Sequence, residues 1–98
     1  MNKKIQLLHP AGKKAVSMDP EKYKILKEAL VKFLRKNGES THTEIIHVIT
    51  EDFKRNKIVF DGSVAWHLEW AIMDLEARNE ISRISRKTPI TFKIAGQS

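Results

Sequence analysis

Residues 63–77, SVAWHLEWAIMDLEA, constrain this chain more than any other run of its length. Val64, Leu68, Ala71, Ile72 and Leu75 recur at helical spacing on one face, and Trp66, Trp70, Met73 and Ala77 form a second row beside it. A helix with so wide an apolar arc is either the most buried element of its fold or has a partner on its outer side. Asp61 and Ser63 both suit an N-cap, and Asn79 stands where a left-handed residue closes a helix. The rest of the chain must be built around this helix.

Beyond this helix the chain alternates with period two. Residues 81–85 read as one strand, and Ile90, Phe92 and Ile94 alternate with Thr91 and Lys93 as a second. Arg86-Lys87-Thr88-Pro89 joins them, with Pro89 suited to a strand start or edge. Upstream, Asp19-Pro20-Glu21 marks a helix start, and Tyr23, Leu26, Leu30, Phe33 and Leu34 supply its apolar stripe up to Asn37-Gly38. Thr41-His42-Thr43-Glu44 fits a capping box for a helix that buries Ile45, Ile46, Val48, Ile49 and Phe53. Ile58, Val59 and Phe60 are expected to cover the core edge before Asp61. Residues 1–18 form an arm, with an apolar run (Ile5, Leu7, Leu8), a turn at Ala11-Gly12 and a short strand at residues 15–18.

Three helices with a tight connection between the first two, followed by a hairpin, is the order of a winged helix-turn-helix. The expected fold is therefore mainly α with a small β-hairpin, in the α+β class. A winged-helix domain at residues 19–98 succeeds the basic arm of residues 1–18. Ninety-eight residues suffice for one such core without staples.

Charge is unevenly spread around a net +6. Residues 1–18 carry +4, residues 58–77 carry four acids and no Lys or Arg, and residues 78–98 again carry +4. With no cysteine there is no disulfide framework and no thiol chemistry, which fits a cytoplasmic protein. The first residues lack the apolar core of a signal peptide, and no run is long enough to span a membrane. No phosphate-binding glycine loop, dinucleotide turn or nucleophile elbow is present, so neither an enzyme nor a cofactor is expected. Glu44, His47 and Glu51 make a single row of metal-ligand types, and one row alone implies no metal.

The run GSVAWHLEWAIMDLEARNEISRI resembles a group of small uncharacterised bacterial proteins with a similar stretch before the wing. Gly62, Ser63, Trp66, Asp74, Leu75, Glu76, Ala77, Arg78, Ile81 and Arg83 carry the likeness, which extends to His9-Pro10, Gly12 and Tyr23. Asn79 stands where that group shows glycine, a change compatible with the same cap. The resemblance implies a winged-helix-like fold and brings no known activity, ligand or site.

Two functions compete. Winged helices are mostly DNA binders whose third helix reads bases with Arg, Lys, Asn or Gln. Here its outward positions are expected to be Ser63, Ala65, His67, Glu69, Asp74 and Glu76, and acids repel phosphates. Contact with double-stranded DNA is therefore expected through the arm and wing, at Lys13, Lys14, Arg83, Arg86, Lys87 and Lys93, with His67 the one contact from the helix. That makes the chain a DNA-associated protein or transcriptional regulator. The alternative is a homodimer or protein-interaction module in which Trp66, Trp70 and Met73 meet a partner.

Overall fold

The computed structural model of the chain describes residues 4–84 and 89–95. In chain order its elements are β1 (Ile5–Gln6), β2 (Ser17–Met18), α1 (Pro20–Asn37), β3 (Glu39–Thr41), α2 (His42–Arg55), α3 (Val64–Ala77), β4 (Ile81–Ile84) and β5 (Thr91–Ile94). This is an α+β arrangement of three helices and two small antiparallel sheets among the described residues.

The helix ends are set by their own sequences. The Asp19 carboxylate accepts from the backbone N–H groups of Glu21 and Lys22, and Gly38, at φ 81°, donates its N–H to Leu34. The capping box of α2 is complete: Glu44 N–H donates to Thr41 Oγ1 at 3.1 Å and Thr41 N–H to Glu44 Oε1 at 3.0 Å. Ser63 caps α3 by accepting from Trp66 N–H. At the other end Asn79 sits at φ 63°, and Glu80 N–H reaches the Leu75 carbonyl while Asn79 N–H reaches that of Glu76. Those paired bonds form a Schellman closure, which glycine favours and asparagine tolerates.

The larger sheet is ordered β3-β5-β4, antiparallel throughout. Its edge strand β3 is not expected from the sequence, where Glu39-Ser40-Thr41 reads only as a tight connection. The strand exists because Ser40 pairs with Phe92, and Arg83 pairs with Phe92 from the other side. In the smaller sheet Ile5 pairs with Met18, so the arm is itself a hairpin. Leu7 and Met18 belong to the same core as Leu26, Leu30, Leu34, Ile45, Ile49, Leu68, Ile72, Leu75, Ile81 and Phe92.

One expected covering fails. Of Ile58, Val59 and Phe60, only Phe60 packs against the core, and Val59 is 94% exposed. Lys57, at φ 54°, turns the chain so that the segment runs over the surface. Phe60 is held from outside, by the Lys22 ammonium 5.3 Å over its ring and by the T-shaped edge of His67 at 5.1 Å.

Candidate nucleic-acid interface

Several of the residues singled out by charge and aromaticity lie on or beside α3, where two acids of that helix, Asp74 and Glu76, hold neighbouring segments. With 3.6 residues per turn, the row Trp66, Trp70, Met73, Ala77 runs between Asp74 and Arg78 on one side and Glu69 and Glu76 on the other. Each flank holds a different piece of chain.

On the first flank, Asp74 is 0% exposed, which corrects the expectation that it faces outward. Its carboxylate accepts from the Tyr23 hydroxyl at 2.5 Å, from Arg78 Nε at 3.0 Å and from the Leu8 backbone N–H at 2.8 Å. Arg78 also reaches the Gln6 carbonyl at 3.4 Å. An ion buried so completely is tolerable only when its lone pairs are satisfied, as they are here. Burial, and then the hydrogen bond to Asp74, hold the Tyr23 phenol well above the usual tyrosine range; the bond to Asp74 likewise raises Arg78. The arm is thus pinned to the C-terminal half of α3 and, through Tyr23, to α1. Lys13 and Lys14 stand exposed in its turn, just past Gly12, whose N–H closes the turn onto the His9 carbonyl.

On the second flank, Glu76 accepts from the Arg83 guanidinium at 3.2 Å, and Arg83 lies 5.6 Å over the Phe92 ring. Glu76 is therefore a strut for β4 and not a free outward acid. Side chains alternate along a strand, so Arg83 shares the Phe92 side of the sheet, while Lys93 points to the opposite side beside its register partners Ser82 and Glu39. The cations expected to act together do not share one face. Arg86 and Lys87 lie outside the described residues.

Along the strip between the flanks, Trp66 is 48% exposed, while Trp70 packs partly against the core with its ring 6.3 Å from that of Trp66. Met73 is half-buried and lines, with Glu69, His42, Arg83 and Ile90, a cleft of about 590 Å³ between α3, the start of α2 and the β4–β5 pair. His67 has a packing role: its Nδ1 lies 2.7 Å from the Ser63 carbonyl and its ring sits edge-on to Phe60 and Trp66. Glu69 remains the exposed acid of α3, 4.0 Å from His42.

Among the described residues no cluster of three or more His, Cys, Asp or Glu side chains could hold a metal ion, and no helix is long and apolar enough to cross a membrane. The sequence signal for the Asp74 node is an acid set among Ala71, Leu75 and Trp70, with Arg78 four residues on.

Residues 4–92 match the model of a family described as a family of unknown function, DUF6958. No curated protein and no solved structure matches the chain.

Proposed function

We propose that this chain, which belongs to the family of unknown function DUF6958, is a winged-helix module that associates with double-stranded DNA through its arm and wing. The order α1-β3-α2-α3-β4-β5, with a sheet ordered β3-β5-β4, supports the winged-helix reading. The observation that carries the functional reading is how α3 spends its acids. Asp74 is consumed in holding the arm and Glu76 in holding the wing, so two of the four negative charges between residues 58 and 77 stabilise the basic segments. The same two contacts hold the arm on one side and β4 on the other side of a partly exposed α3 strip. Such a layout suits phosphate contacts on either side of a groove, with little base reading, because α3 offers no Arg, Lys, Asn or Gln. It suits a regulatory role, with specificity supplied by DNA shape or by a partner.

Titration of random-sequence duplex DNA with salt tests the proposal. Four phosphate contacts from Lys13, Lys14, Arg86 and Lys87 predict a slope of log affinity against log salt of roughly −3.6, at about −0.9 per neutralised phosphate. Arg86→Ala with Lys87→Ala would halve it. Absence of binding at low salt overturns the reading.

The exposure of Trp66 favours one second reading, a protein partner seated on the α3 strip. Sedimentation of the chain at high concentration separates self-association from the DNA-bound role, because only the former is abolished by Trp66→Ala without DNA present.

A further inference from the structure

We propose that Asp74 is the positioning residue of the arm: its buried carboxylate fixes where the turn carrying Lys13 and Lys14 stands against α3. The inference rests on the nucleic-acid reading above, because it assigns the arm's placement a part in binding.

A carboxylate taken wholly out of water must be held from several sides, and the donors around Asp74 divide into two sets. Tyr23 and Arg78 come from the helical body and fix the carboxylate itself. The third donor is main chain of the arm, the Leu8 N–H, and Arg78 adds the Gln6 carbonyl of the same segment. The arm has few other directional ties. Its strands are two residues long each, too short to hold a hairpin in place by themselves. Leu7 and Met18 sit in the core and Ile5, Ala15 and Val16 pack against it, which anchors the hairpin through apolar side chains. The backbone bond to Asp74 supplies direction, with the carboxylate locked by α1 and α3 at once. Holding two lysines in place before a polyanion arrives removes part of the ordering cost of binding.

Leu8→Pro isolates the effect. It deletes the donated N–H, keeps every charge, and alters a side chain that is already 42% exposed. The Leu7 N–H bond to the Val16 carbonyl reports whether the arm still closes. Amide exchange at Leu7 should quicken at least tenfold in Leu8→Pro while the amides of α2 keep their wild-type rates. Affinity for random duplex DNA at low salt should fall about tenfold, matching the loss in Lys13→Ala with Lys14→Ala. Combining the three substitutions should then cost nothing beyond the lysine pair, since lysines no longer held in place contribute nothing to lose. If Leu8→Pro unfolds the chain, an ester in place of the amide between residues 7 and 8, which removes only the donated N–H and keeps the Leu8 side chain, should reproduce the exchange and affinity changes. Tight binding by an unlatched Leu8→Pro, or losses that simply add, overturns the positioning role and leaves the DNA reading standing. Wild-type chain that ignores DNA overturns both.

Discussion

Tyr23→Phe removes one oxygen from the best-defined polar node of the molecule, and its effect can be worked out in advance. The phenol is 9% exposed, and its hydroxyl donates at 2.5 Å to a carboxylate that sees no solvent. A hydrogen bond to a charged group contributes about 1.5–3 kcal/mol net. Phenylalanine fills nearly the same volume, so no cavity term adds, and Asp74 keeps Arg78 and the Leu8 N–H as donors. The expected loss is about 2 kcal/mol, which for a domain of this size lowers Tm by roughly 10 °C. Urea unfolding followed by circular dichroism measures it at pH 7. A second arm of the experiment uses the alkaline limb. Folding raises the phenol's pKa above its ordinary value of 10.0, because burial and the bond to Asp74 both favour the protonated form. That contribution is fully present below about pH 10 and is lost as the pH climbs from there toward the folded value, since the unfolded chain gives up its proton first. The gap between wild type and Tyr23→Phe should therefore narrow above pH 10. A variant within 0.5 kcal/mol of wild type at pH 7, or a gap that widens with alkalinity, would refute the assignment of Tyr23 as the donor that holds Asp74 (the threshold is about the scatter of neutral surface substitutions).

The strip on α3 gives a contrast of positions. Trp66→Ala should change stability by less than about 1 kcal/mol, because the ring is half in water, whereas Trp70→Ala, packed against the core, should cost about 2 kcal/mol in the same urea assay. Glu76→Gln separates two views of the acids by sign. If Glu76 is a strut for Arg83, DNA affinity falls a few-fold at low salt; if it merely repels phosphates, affinity rises.

Much of the fold is legible in the sequence because its signals are local. Asp19-Pro20, the Thr41/Glu44 box, Ser63 and Asn79 each satisfy a helix end with atoms a few residues away, and all four act in the structure as their residue types imply. Strand β3 is not legible, since Glu39-Ser40-Thr41 has no apolar period and becomes a strand only by pairing with Thr91–Ile94, some fifty residues on. The opposite facing of Arg83 and Lys93 depends likewise on register, which the sequence leaves open until β4 and β5 are aligned. Val59 misleads for the reverse reason: an apolar type beside Phe60 suggests burial, yet the turn at Lys57 carries it outward.

Asp74 shows why counting charge by segment is a poor guide to the candidate site. Four acids and no base between residues 58 and 77 argue against a polyanion only if the acids face it. Asp74 is paired with Arg78 and Tyr23 inside the molecule, and Glu76 with Arg83 on β4, so each cancels a charge it also positions. What remains outward on α3 is Glu69, within 4.0 Å of His42, next to an indole that is half exposed. Under the proposed DNA association, an outer face that is almost uncharged, with the arm held on one side by Asp74 and β4 on the other by Glu76, would meet phosphates from its flanks without offering donors to bases along its middle. Any sequence preference would then have to arise from the shape of the DNA or from a second protein resting on Trp66.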